Sequence, residues 1–257
     1  MNRHLPRKSL GQHFLHQKRV VDEIIRRFNP SPGDNVIEVG PGLGALTYDL
    51  IPRVGQLHVV ELDRDLAERM EKNTRGHVNV HVHHADALKM DVSDLCAGEN
   101  VRLIGNLPYN ISTPLVFHLL RQRERIQDMW FMLQKEVGER ILAIPGSRQY
   151  GRLSVMIQQC CSVQRVLQVA SGAFSPPPKV ESMVLCLIPY VDPPHAVDRY
   201  EAFETLVRVA FSQRRKTLRN ALSPLIGQAG IEQLGIDPGL RPEQLQISDY
   251  ARLSRLL

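Results

Sequence analysis

No stretch of this chain stays apolar for the ~18 residues of a membrane-spanning helix, and its basic first residues are not followed by the apolar core of a signal segment. The four cysteines (Cys96, Cys160, Cys161, Cys186) have no CxxC spacing, which argues against a zinc framework or a dithiol pair and fits free thiols in a reducing cytosol. Internal repeats, low-complexity tracts, a Ser/His/Asp set and a paired-carboxylate motif are all missing. Three histidines crowd together at His81, His83 and His84, but alternation along a strand puts His84 on the face opposite the other two. No carboxylate pair accompanies them, so no metal is expected. A soluble, cytoplasmic monomer with no membrane contact is the expectation.

What is present is enough apolar residue, 43% of 257, for one large domain or for a large and a small one. The net charge of +5 is unevenly spread. Residues 1–30 hold Arg3, Arg7, Lys8, Lys18, Arg19, Arg26 and Arg27 against Asp22 and Glu23, and residues 205–231 hold Arg208, Arg214, Arg215, Lys216 and Arg219 with no acid. Each stretch alone carries a surplus of five, so the remainder is mildly acidic. Two basic patches flanking an acidic body point to a polyanion held at defined places, nucleic acid above all.

Along the chain, Val20, Val21, Ile24, Ile25 and Phe28 recur at helical spacing after a polar and apolar arm, Arg7 to Leu15. Strands are predicted at Asn35–Val39, Leu57–Leu62, Val78–Val82, Val101–Ile104 and Met129–Leu133, with helices through Leu46–Leu50, Asp65–Asn73, Thr113–Arg123 and Lys135–Ile144 between and after them. Two further apolar runs, Leu153–Ile157 and Met183–Ile188, read as closing strands. Strand and helix alternate five times, the pattern of an α/β fold with a doubly wound, mostly parallel sheet. From Pro189–Pro194 onward no strand pattern returns. The chain therefore reads as a domain over 1–191, arm included, and a small all-α domain over 192–257.

The run Gly40-Pro41-Gly42-Leu43-Gly44 follows the first of these strands and opens a helix. Gly40, Gly42 and Ala45 satisfy the dinucleotide pattern, and Glu61 follows at the spacing of a ribose-binding acid. That says adenosine-containing cofactor, and leaves a nicotinamide dinucleotide and S-adenosylmethionine both open. Asp86, past another strand end, is placed to accept from an adenine amine, although a surface-turn Asp would look the same.

Two strands from the glycine loop, Gly105-Asn106-Leu107-Pro108-Tyr109 leaves a strand. Taken alone it is equally a strand-to-helix turn. Its chemistry suggests more. An adenine amine is a poor nucleophile because its lone pair is delocalised into the ring. Two carbonyls, of the Asn106 side chain and the Leu107 backbone, could each accept one of its hydrogens and draw the nitrogen towards a tetrahedral, nucleophilic geometry. Pro108 biases Leu107 to an extended conformation, and Tyr109 offers a face on which a base stack is worth about 1–3 kcal/mol. Transfer from a sulfonium methyl needs no metal, and holding the reactants in line can supply on the order of 7–11 kcal/mol.

The motifs GQHFL, EVGPGLGALT, VVELD, ADAL, GNLPYNISTP, FMLQKE, YGRLSV, FSPPPKVES and FSQRRKTLRNAL occur in this order. With them, from about Arg7 to the C-terminal helices, the chain resembles the bacterial small-subunit rRNA adenine dimethyltransferases, the family linked to kasugamycin sensitivity. The resemblance implies a Rossmann-like class I methyltransferase domain with a helical rRNA-binding domain. It also implies S-adenosylmethionine as donor, with the exocyclic amines of two adjacent adenosines near the 3′ end of 16S rRNA, in the immature small subunit, as acceptors. By its motifs, cofactor contacts fall on His13, Leu15, Gly40, Glu61, Asp86 and Asn106. His13 stands where many members have Asn. The acceptor site falls on Asn106, Leu107, Pro108 and Tyr109, with Phe174 across the base from Tyr109, and RNA contacts on Arg214, Arg215, Lys216 and Arg219. Two other readings remain: an assembly factor acting mainly by binding the small subunit, and an enzyme of the same class acting on large-subunit rRNA.

Overall fold

Strands and helices follow one another in a computed structural model that describes residues 6–7, 11–96 and 100–257. The strands are β1 (Phe14–Leu15), β2 (Asn35–Val39), β3 (Gln56–Glu61), β4 (Val80–His84), β5 (Val101–Asn106), β6 (Ile126–Gln134), β7 (Cys161–Val169), β8 (Phe174–Ser175) and β9 (Ser182–Pro189). The helices are α1 (Lys18–Phe28), α2 (Thr47–Leu50), α3 (Arg64–Thr74), α4 (Val92–Leu95), α5 (Ser112–Leu120), α6 (Lys135–Ile141), α7 (Arg152–Cys160), α8 (Tyr200–Ser212), α9 (Leu218–Ala221), α10 (Gln228–Gln233) and α11 (Ile247–Ser254). Arg3, Lys8 and the middle of the arm, residues 8–10, lie outside the described residues.

Seven strands form one sheet in the order β4-β3-β2-β5-β6-β9-β7. Pairing is parallel from β4 to β6, and β9 runs antiparallel to β6. The fold is thus the doubly wound α/β class. Its winding reverses between β2 and β5, and such a reversal leaves a crevice at the carboxyl ends of the two strands. Val36–Glu38 pair directly with Arg102–Ile104, so the glycine loop and the Asn106 segment are immediate neighbours and not two strands apart. Gly105 permits this approach, since a Cβ there would lie 2.3 Å from the Val39 carbonyl oxygen.

At the opposite end of the same strands, Arg102 is nearly buried. It bonds Asp128 of β6, Asp34 ahead of β2 (2.7 Å) and the Phe28 carbonyl at the end of α1 (2.7 Å), with its guanidinium 4.0 Å from the Phe28 ring centre. Four elements are tied by one side chain there, far along the strands from the crevice. The core that supports the sheet combines Ile24, Ile25 and Phe28 of α1 with Val36, Leu57, Val59 and Ile104 of the strands.

One expectation is corrected, and one strand is new. Leu153–Ile157 is helix (α7), not strand; every residue of the run is buried, and a helix buried all round shows the same unbroken apolar run as a buried strand. β7 was not foreseen, because Gln164, Arg165 and Gln168 interrupt it, as suits a strand at the edge of a sheet.

The chain divides into two compact units, residues 1–138 with 164–189, and residues 139–163 with 190–257. The second is therefore larger than the expected 192–257, because 139–163, with α7, groups with the C-terminal helices. Within it α8 packs on α7, α9 and α11. Tyr150 meets Phe211 edge-on at 6.2 Å, Phe211 lies 5.8 Å from Tyr250, and Arg152 pairs with Glu204 at 2.9 Å.

Candidate active site

In the first unit, the crevice at the β2/β5 reversal is lined by the glycine loop, the ends of β3 and β4, the segment Asn106–Ile111 and the arm residues Gly11–Leu15. The loop leaves β2 with Gly40 and Gly42 at positive φ (69° and 56°). A Cβ on Gly42 would come within 2.9 Å of the Phe14 ring, so a side chain there would crowd the hollow between loop and arm. Bare backbone facing a cleft is what close approach of a ligand requires.

Glu61 ends β3 beside this loop, 7% exposed, with its two oxygens accepting from the backbone N–H groups of Asp63 (2.9 Å) and Gly42 (3.2 Å). Burial holds its carboxyl above the usual range, against the pull of those two bonds. Glu38, one residue before the end of β2, is 1% exposed and accepts from the Thr47 hydroxyl at 2.6 Å. Burial, with the charge of Glu61 adding, pushes the Glu38 carboxyl up to about 7. Asp86 follows β4, where one oxygen caps the next turn by accepting from Leu88 N (3.0 Å).

Across the cleft, Asn106 is the last residue of β5. Its Nδ2 donates to the His13 carbonyl oxygen at 2.9 Å. A carbonyl can only accept, so this contact decides which way the amide points and turns Oδ1 away from the arm. Leu107 is anchored by its N–H on the Met132 carbonyl (3.0 Å). The Tyr109 hydroxyl meets Ser182 Oγ at 2.7 Å, and the His13 ring stacks on Tyr109 with centroids 5.6 Å apart.

The arm is held from two sides. β1 pairs antiparallel with β8, Leu15 opposite Phe174, and His13 Nδ1 donates to the Pro176 carbonyl (2.7 Å). At its other end Gln12 Nε2 donates to Asp63 (3.0 Å), and Arg7 pairs with Asp63 (3.3 Å) and Asp65 (2.6 Å). The cleft thus sets the glycine loop and the buried carboxyl of Glu61 on one side, and the Asn106 amide beside the Tyr109 ring on the other.

A sequence model of the ribosomal RNA adenine dimethylase family matches residues 3–257. The chain belongs to that family. It is 49% identical over 251 residues to the ribosomal RNA small subunit methyltransferase A of Idiomarina loihiensis, covering 98% of this chain and 87% of the relative. The protein of that name from Acinetobacter baylyi is 50% identical over 252 residues, covering 98% and 92%. Among solved structures, a dimethyladenosine transferase from Plasmodium falciparum superposes with a TM-score of 0.80 at 26% identity, covering 94% of this chain and 96% of that one. The 23S rRNA methyltransferase ErmE superposes with a TM-score of 0.72 at 25% identity, covering 95% and 99%. Membership makes the chain an rRNA-modifying methyltransferase with a Rossmann-like fold that uses S-adenosylmethionine as its methyl donor.

Of the residues expected in this dimethylase's site, His13, Leu15, Gly40, Glu61, Asp86, Asn106, Leu107, Pro108 and Tyr109 all line the one cleft. Phe174 does not. It is 2% exposed and packs in the core with Leu15, Val169 and Ala173. Alternation along β8 turns its large ring inward and leaves Ser175 exposed. Gln12, Glu38, Thr47, Asp63 and Ser182 are the partners that the sequence left unassigned, although GQHFL, EVGPGLGALT, VVELD and FSPPPKVES contain them.

In the second unit, Arg214, Arg215 and Lys216 occupy the turn after α8, and Arg219 is in α9. Arg215, Lys216 and Arg219 are exposed. Arg214 instead donates to the Arg148 carbonyl (2.6 Å) and lies 3.7 Å from Glu243. In the N-terminal basic stretch, Lys18 pairs with Asp22 and Asp49, and Arg26 and Arg27 with Glu23. No group of His, Cys, Asp and Glu able to hold a metal occurs among the described residues, nor any helix long and apolar enough to cross a membrane.

Proposed function

We propose that this dimethylase converts two adjacent adenosines near the 3′ end of 16S rRNA to N6,N6-dimethyladenosines during small-subunit biogenesis in the cytoplasm, acting as a monomer. The observation that carries the reading is the fixed amide of Asn106, whose Nδ2 is committed to the His13 carbonyl. Its Oδ1 and the Leu107 carbonyl accept the two hydrogens of the target amine, and Tyr109 supports the base. S-adenosylmethionine supplies an electrophilic methyl on a sulfonium. The residues present fit it: the bare backbone of Gly40 and Gly42 would receive the adenosine end, Glu61 would hold its ribose, and Asp86 its adenine amine. No general base is needed in the first step, because the proton is lost after the amine has become cationic. Arg215, Lys216 and Arg219 supply sequence-independent contacts to rRNA phosphates.

The names of the relatives favour the small subunit, while the likeness to a 23S rRNA methyltransferase favours the large one. Radiolabelled methyl transfer to isolated subunits lacking the modification, with mapping of the labelled nucleosides, separates them. Label on two adjacent adenosines of small subunits supports the proposal; label confined to large subunits overturns it.

A further inference from the structure

Asp63 takes no part in the chemistry outlined above, yet its carboxylate is fully buried beside the cleft and meets two residues of the arm. Its Oδ1 caps α3 by accepting from Asp65 N at 3.0 Å, and its Oδ2 accepts from Gln12 Nε2 at 3.0 Å. Gln12 completes a small clasp, since its Oε1 accepts from Arg7 N at 2.8 Å. The next residue is His13, whose carbonyl decides the orientation of the Asn106 amide.

We propose that Asp63 is a positioning residue for methyl transfer, holding Gln12 so that the His13 carbonyl keeps the Asn106 amide with Oδ1 towards the acceptor amine. An Asn side chain has two nearly isosteric orientations. With Oδ1 in the cleft, the acceptor amine meets an acceptor; with Nδ2 there, donor faces donor and the amine is repelled. The strand end that carries the ribose-binding Glu61 thereby also sets the chemistry of Asn106, through two hydrogen bonds and one peptide unit. This inference rests on the proposed role of Asn106.

Asp63→Asn tests it without removing the helix cap, because Asn caps as well as Asp. If its oxygen keeps the bond from Asp65 N, its amide group faces that of Gln12, and the clasp opens. Gln12→Ala opens it from the other side and leaves α3 untouched. Each variant is expected to lower kcat by about 10- to 100-fold, the scale of misplacing a reacting group, with KM for small subunits within about threefold of the parent and an unchanged Tm. Because both act on one clasp, the double variant falls no further than the worse single one. The side-chain amide resonance of Asn106 in asparagine-labelled protein, assigned by its loss in Asn106→Asp, is expected to shift and exchange faster in both variants. Overturning outcomes are a kcat within twofold of the parent, losses that multiply in the double variant, or an Asn106 amide resonance that does not move. If the parent protein methylates neither subunit, the functional reading fails, while the amide resonance still decides this inference.

Discussion

The cleft at the β2/β5 reversal and the basic turn after α8 achieve recognition by different means. In the cleft the polar groups have assigned partners: Asn106 on His13, Glu61 on Gly42 and Asp63, Glu38 on Thr47, Tyr109 on Ser182. On the turn, Arg215, Lys216 and Arg219 are exposed, while Arg214 is tied to the Arg148 carbonyl and Glu243. A methyl transfer needs atoms placed to fractions of an ångström, whereas a phosphate backbone can be met by cations on flexible stems. The cleft should therefore be intolerant of single changes and indifferent to salt, and the turn the reverse.

Asn106→Ala gives the largest expected effect. Removing the side-chain acceptor should lower kcat by at least about 10²-fold, the scale of losing one oriented polar group in a catalytic site. The Tm and the rRNA affinity are expected to stay near those of the parent. Methyl transfer within a few-fold of the parent would mean that the cleft grips the amine by another route. Tyr109→Ala comes next: loss of a stack worth about 1–3 kcal/mol should lower kcat/KM by roughly 5- to 150-fold. Tyr109→Phe keeps the ring and loses the bond to Ser182, so its loss should be smaller. Equal losses in the two variants would assign the effect to the hydroxyl instead of the ring.

Legibility in the sequence followed the same divide. Strand and glycine-loop positions were readable, because a buried parallel strand and a backbone-only turn leave local marks: Val36, Ile37 and Val39, then Gly40 and Gly42. The cleft residues were readable through motifs. Their partners were not, since a bond such as Asn106 to His13 joins positions 93 residues apart. The neighbourhood of β2 and β5 was hidden for a similar reason: chain order gives the strands but not their order in the sheet. The burial of Phe174 was hidden because a motif names a residue without its packing, and the helix at Leu153–Ile157 because a wholly buried helix loses its periodic stripe. On the basic turn, charge showed a patch but could not tell Arg214, tied to Arg148 and Glu243, from its exposed neighbours.

That last distinction predicts a smaller effect. Arg215→Ala, Lys216→Ala and Arg219→Ala should each weaken rRNA binding and reduce the slope of log affinity against log salt by about 0.7–0.9, one phosphate contact each. Their kcat at saturating substrate should be retained. Arg214→Ala should instead lower the Tm, because a donor to the Arg148 carbonyl is lost, with less change in the salt slope. A salt slope unchanged by all four would move the RNA contact to another surface and leave the turn a solvated corner.

The smallest expected effect lies back in the cleft and concerns stability alone. Burial places the Glu38 carboxyl at about 7 in the folded protein, with Glu61 adding to the shift, against about 4.3 for an unperturbed Glu. The folded state therefore binds this proton more tightly than the unfolded one. Its contribution to stability is fully present below about pH 4.3 and is lost as the pH rises towards 7. Glu38→Gln keeps the neutral shape and cannot ionise, so its Tm should approach the parent's as the pH falls towards 4 and exceed it by a growing margin, a few degrees at pH 8, where the parent must bury a charge or take up a proton. Equal Tm differences at pH 5 and pH 8 would show that Glu38 does not titrate in this range, and that the cleft's indifference to its surroundings extends to this buried acid.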